Sequence, residues 1–210
     1  MSVYLPPSFA ARDGESVARL IEEYPFATLI TAGGDEPHLS HLPLLHRPDS
    51  PPHGSLIGHM ARANPHWQCF AHGPTLAVFQ GPHAYVSPSW YVDPAAMVPT
   101  WNYVVAHVRG SVVPLSDRAE TLDILGQMTA RFESGRPRPW RLQLEGVRLE
   151  AMVGAIVAFR MTIERVDAKF KLSQNRSVED RERVIAALLE EGSNEASATA
   201  EWMIRHARQG

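Results

Sequence analysis

At 210 residues, with 44% hydrophobic and 20% charged side chains, the chain has an ordinary globular composition and the length for one large domain with appended helices. A net charge of −3 and a pI near 6.4 argue against a large nucleic-acid footprint. The single cysteine, Cys69, excludes an intrachain disulfide and reads as a small buried apolar residue, which suits a reducing cytoplasm.

Residues 1–7 show neither the basic start nor the apolar centre of a signal peptide, and no run approaches the ~18 apolar residues of a membrane span. Asp13 caps a helix whose Val17, Leu20, Ile21 and Tyr24 recur at helical spacing, and Pro25 stops it. A strand over 26–32, a turn over 33–37 and a returning strand over 38–46 follow as a hairpin. The Pro-rich stretch 48–54 is a loop, and 55–60 a short strand. Asn64-Pro65 is a cap followed by a first-turn proline, predicting a helix over 66–71.

Strands over 75–80 and 83–87 are expected on either side of a Gly81-Pro82 turn. A loop over 88–99 leads into a long strand over 101–115. Ser116 starts a helix to about Phe132 with Leu122, Leu125, Thr129 and Phe132 on one stripe, and a second helix is predicted over 141–153. In the last strand, 156–171, Val157, Phe159, Met161 and Ile163 alternate with polar or small residues. Ser177 and Asp180 form a capping-box-like start to a final helical pair over 177–210. Many strands with few helices between them indicate an antiparallel barrel, a mainly β fold with flanking helices. The barrel is expected over 1–176.

Two segments carry the candidate chemistry. In Gly58-His59-Met60-Ala61-Arg62-Ala63-Asn64-Pro65 a strand ends, an arginine follows and an Asn-capped helix begins. The open N–H groups of that helix and the Arg62 guanidinium suit a phosphate, while the plainer alternative is a capped helix with a solvent-facing arginine. In Lys169-Phe170-Lys171-Leu172-Ser173-Gln174-Asn175 the chain's only two lysines share one strand face, against 18 arginines elsewhere. They suit a phosphate or the polar edge of a heterocycle, or else solubilise a strand end. Trp90, Tyr91, Trp101 and Tyr103 bring aromatics to the barrel rim, where they can stack on a planar ring, close a barrel end or form a dimer interface.

Other chemistries lack their signatures. His38 and His41 point to opposite faces of one strand, and no Cys/His or HExxH pattern occurs, so no metal site is assigned. P-loop, dinucleotide-binding and nucleophile-elbow motifs are also missing. His206 near the C-terminus reads as an exposed tail residue, with a haem ligand as its remote alternative.

Five phrases in register, Pro25-Phe26-Ala27-Thr28-Leu29, the run 58–67, Phe79-Gln80-Gly81-Pro82-His83-Ala84-Tyr85, the run 98–103 and the run 169–176, together resemble the PaiB family over nearly the whole chain. The resemblance implies a split β-barrel of the pyridoxamine-phosphate-oxidase type, a homodimer with FMN sites at the subunit interface, and a role as negative transcriptional regulator. It also implies a phosphate cradle of Arg62 and Asn64 flanked by His59, Met60 and Ala61. Trp101, Asn102, Lys171 and Gln174 would be the ring or ribityl contacts, some of them from the partner subunit. His41 stands on the strand where the oxidases tend to carry arginine.

A direct repressor should show a basic reading surface. The only helix–turn–helix-like segment, 178–208, instead interleaves arginines with Glu179, Asp180, Glu182, Glu190, Glu191, Glu195 and Glu201. Packing is its commoner use, so DNA is a weakly supported partner and regulation can be indirect. A flavin-dependent oxidoreductase is the alternative function, and a haem-binding or haem-degrading barrel a more distant one.

Overall fold

The computed structural model describes residues 4–11, 13–33, 35–49 and 52–208. Residues 1–3, Gly34 of the expected 33–37 turn, and Ser50 and Pro51 of the 48–54 loop lie outside the described residues. The strands are β1 Phe26–Thr31, β2 His38–Pro43, β3 Leu45–Arg47, β4 Ser55–Ala61, β5 Thr75–Val86, β6 Thr100–Pro114 and β7 Ile156–Lys171. They hydrogen-bond in the order β2-β1-β5-β6-β7-β4-β3. The β1–β2, β1–β5, β3–β4 and β4–β7 pairs are antiparallel. The α-helices are α1 Gly14–Glu23, α2 Arg118–Glu133, α3 Gly146–Gly154, α4 Val178–Glu191 and α5 Asn194–Ala207. Among the described residues no helix is long and apolar enough to cross a membrane.

The chain divides into two compact units. One comprises Tyr24–Phe79 and His107–Val166. Its core holds Leu29, Leu44, Leu56, Ile57, Phe79, Phe159 and Met161, all fully buried. Helix α2 lays Ile124 and Met128 on Ile57 and Ala158, and its outer face is tied down by Arg47 Nη2 donating to Asp123 Oδ2 at 2.7 Å and by the Arg160–Glu120 pair. The expected stripe of Leu122, Leu125, Thr129 and Phe132 is displaced: the buried residues are Thr121, Ile124 and Met128, and Phe132 is exposed. Both stripes have helical spacing, and the apolar floor beneath the helix decides between them.

The structure departs from the sequence expectation at three further places. The return strand over 38–46 is two strands, β2 pairing with β1 and β3 with β4. Pro43 has no N–H for a ladder, and Leu44 drops into the core while donating its own N–H to Pro25 O at 2.9 Å. The Gly81-Pro82 pair is not a turn but lies inside β5, where both residues are buried. The buried positions shift there from the odd residues Thr75, Ala77 and Phe79 to the even residues Ala84 and Val86, a phase change of the kind a bulge makes and at which a proline is tolerated. The helix expected over 141–153 begins only at Gly146, whose φ of +58° is non-helical, and none of its residues is buried.

The second unit comprises Met1–Glu23, Gln80–Ala106 and Asp167–Gly210. Leu20 and Ile21 of α1, Val184 and Leu188 of α4, and Ala200, Trp202 and Met203 of α5 form its apolar interior. Phe170 of β7 is fully buried with its ring edge-on to Trp202, 5.4 Å between centroids. Each fully buried apolar side chain of this size contributes roughly 1.5–3 kcal/mol relative to exposure. Ser177 and Ser193 cap α4 and α5, accepting from Asp180 N at 3.1 Å and Ala196 N at 3.2 Å.

Candidate functional site

The first candidate segment is built on β4. An ideal Cβ added to Gly58 would lie 2.7 Å from Leu44 Cδ2 and 3.1 Å from Phe159 Cζ, so a larger residue must push these two buried side chains aside. Beyond it, β4 pairs with β7 through Ala61, whereas β3 covers only Ser55 to Ile57 on the other side. β2 is an edge strand whose one neighbour is β1. A cavity of about 590 Å³ opens where these two strands each have a partner on one side only. Its walls are residues 39–42 of β2, residues 59–61 of β4, Asn64 and Ile156. Two strand edges of this kind offer backbone N–H and C=O groups to the rim of a planar ligand.

Asn64 joins this wall to a buried polar chain. Its Oδ1 accepts from His66 N at 3.0 Å, which fixes the amide orientation, and its Nδ2 donates to Ser40 Oγ at 2.9 Å. Ser40 Oγ lies 2.8 Å from His66 Nδ1, His66 Nε2 lies 2.9 Å from Thr31 Oγ1, and Thr31 Oγ1 lies 2.7 Å from Thr75 Oγ1. All four residues are buried. Burial, reinforced by His38 stacked at 5.8 Å, pushes the His66 pKa down to about 4. A neutral imidazole takes one proton from a neighbour and gives one, so the chain is satisfied with Ser40 donating to His66 and His66 to Thr31. His41, three residues from His38, points elsewhere and shares a hydrogen bond of 3.0 Å with Thr28 Oγ1.

The helix behind Asn64 is 3-10 rather than α, spanning Pro65–His72, and its first free N–H is taken by the cap itself. Arg62 is not on the cavity wall. Its Nε donates to Gly154 O at 2.6 Å, at the carbonyl end of α3, and its Nη2 to Ile156 O at 2.7 Å, at the start of β7. His59 and Met60 do face the cavity, and burial lowers the His59 pKa, keeping that ring neutral. Of the β2 residues on the wall, only His41 stands out in the sequence; Leu39, Ser40 and Leu42 do not. A period-two strand carries no mark of whether it will be an edge.

The second candidate segment lies in the other unit. Lys171 Nζ donates to Thr100 Oγ1 and to Trp101 O, each at 2.6 Å, and burial, then Lys169 and Arg176, lowers its pKa. Trp101 is half exposed, packed by Tyr85 and His83, and lines a second, mostly apolar hollow of about 480 Å³ with Tyr103 and Val105. Asn102 and Gln174 are engaged internally. Asn102 is fully buried and exchanges hydrogen bonds with Ser173, whose φ of +64° is unusual for a residue with a side chain. Gln174 folds back, its Oε1 accepting from Leu172 N at 2.7 Å and its amide donating to Phe170 O. His206 is not an exposed tail residue: it is half-buried, edge-on to Phe170, and burial lowers its pKa.

Comparison with known proteins places this architecture. The flavocytochrome Anf3 of Azotobacter vinelandii is similar over 82% of this chain and 74% of its own, with a TM-score of 0.63 at 16% identity. The FAD and heme binding protein of Mycobacterium smegmatis is similar over 85% and 79%, with a TM-score of 0.61 at 19% identity. The strand order and these likenesses define a split β-barrel of the pyridoxamine-phosphate-oxidase type. A family model described as "Putative FMN-binding domain" matches residues 3–165, and the protease synthase and sporulation protein PAI 2 of Bacillus subtilis is 37% identical over 96% of both chains. The chain belongs to this FMN-binding-domain family, the PaiB family, as its five phrases implied.

Proposed function

We propose that the chain binds FMN in the cavity between β2 and β4 and acts as a negative transcriptional regulator in the cytoplasm. The carrying observation is the pair of one-sided strand edges around about 590 Å³, a volume within the usual range for cofactor pockets. His59, Met60 and Ala61 supply the β4 edge, and Asn64, held by Ser40, supplies a fixed amide. In this reading the ring end of the cofactor lies along this wall. The phosphate end requires Arg62 to turn from the Gly154 and Ile156 carbonyls, for which it keeps further N–H donors beyond the two in use. Trp101 and Lys171 complete the site from a second copy of the chain in a homodimer, with the exposed Trp101–Tyr85 face as its interface. Asn102 and Gln174 then shape that segment from inside. FMN, when bound, supplies a redox-active ring; the protein supplies its orientation and its electrostatic surroundings.

Regulation is indirect in this reading. The faces of α4 and α5 that a helix–turn–helix would use for its own packing are buried, and what remains outside mixes acids with arginines. The name of the Bacillus subtilis relative, taken from protease synthase and sporulation, supports a regulatory role. A flavin-dependent oxidoreductase is the second reading, favoured by a further apolar cavity that shares His59 with the first.

Titration with FMN and with riboflavin tests the cofactor reading. FMN should shift the flavin spectrum and bind at least tenfold more tightly than riboflavin, about 1.4 kcal/mol for the phosphate. No spectral change up to millimolar FMN removes the cofactor, and equal affinities remove the phosphate contact. A gel shift of the loaded protein on its own promoter region at low salt should show no direct complex; a salt-sensitive complex would replace the indirect reading.

A further inference from the structure

We propose that the cavity beneath α2 is a separate binding site for a small, neutral, two-ring aromatic molecule. It is formed by Leu125, Met128, Thr129 and Phe132 of α2, with Trp140 from the following segment, and it is closed below by Pro43 and His59. Its volume of about 280 Å³ lies just below the usual range of ligand pockets, which limits the occupant to two rings at most.

The chemistry of the wall sets the class. Met128 and Leu125 give an adaptable apolar floor, and Phe132 and Trp140 present aromatic faces that remain partly open to solvent. An exposed tryptophan beside an exposed phenylalanine at the mouth of a hollow is apolar surface that packing within the chain leaves uncovered. No lysine or arginine lines the cavity. Its one acid, Glu133, is already engaged, with Oε2 accepting from Trp140 N at 2.8 Å and Oε1 3.3 Å from Arg136 Nε. That contact fixes the Trp140 backbone against the end of α2 and gives the wall a defined shape. An anion entering here meets a carboxylate and no cation on the wall, Arg136 being already paired with Glu133, whereas a neutral ring meets two aromatic faces. Thr129 and the neutral His59 are the polar groups left to orient it.

His59 lines both this cavity and the cofactor cavity, with its Nδ1 3.3 Å from Met128 Sδ. The relation of the two sites therefore rests on the FMN reading, but the aromatic site itself does not. The test uses the full chain without flavin. Quinoline and naphthalene-2-sulfonate, two rings each but neutral and anionic at pH 7.5, are titrated calorimetrically into the wild type and into Trp140→Ala. Quinoline should bind, the sulfonate at least tenfold more weakly, and Trp140→Ala should weaken quinoline at least tenfold. Trp140 is exposed, so the variant should keep the wild-type melting temperature, and Trp140→Phe should retain most of the binding. Absent quinoline binding, equal binding of both probes, or quinoline binding unaffected by Trp140→Ala overturns the proposal. Failure of the FMN titration would leave all of these outcomes intact.

Discussion

At the residue scale, the chain from Asn64 through Ser40 and His66 to Thr31 and Thr75 shows what sequence can and cannot reveal. Asn64 is legible as a cap because Asn before Pro at a strand end has one common meaning. Nothing marks His66 as the buried centre of the chain, since the partners of its ring come from 26 and 35 residues away. Its depressed pKa makes a stability prediction. The unfolded chain takes up a proton at His66 near pH 6.5, whereas the folded protein resists until about pH 4, so this contribution is lost as pH falls through that interval. Urea unfolding at pH 7 and pH 5 should show a loss of about 2 kcal/mol that is absent in His66→Gln. An identical loss in the variant would mean that other groups carry the pH dependence.

At the scale of elements, strand and helix existence follows from periodicity, but partners do not. β7 is legible to both ends, and its two apolar registers, Val157 to Ile163 on odd positions and Ala168 and Phe170 on even ones, can be seen in the sequence itself. The equivalent change in β5 is concealed by Gly81-Pro82, which has the composition of a turn. The α2 face and the late start of α3 depend on what lies beneath each helix, which no local pattern contains. Arg62 is the sharpest case, because an arginine beside a cap suits an anion but here also closes α3. Arg62→Ala should therefore speed amide exchange across the last turn of α3 by about tenfold, the loss of roughly 1.4 kcal/mol expected of the one charge-assisted hydrogen bond that it makes to that helix, at Gly154 O. Unchanged exchange there would show that the contact contributes nothing to the helix end.

For the whole molecule, strand number and the scarcity of intervening helices were enough for the class of fold, and five short phrases for the family. The wall of the proposed cofactor cavity was half legible. Residues 59–61 and Asn64 stand together on the cavity, but the opposite wall of β2 was hidden, because an edge exists only once every strand has found its neighbour. If FMN completes two strand edges, amide hydrogen exchange with and without saturating FMN registers it directly. Protection is predicted at residues 39–42 and 59–61 together. Exchange unchanged at both edges, or protection confined to other strands, would contradict it.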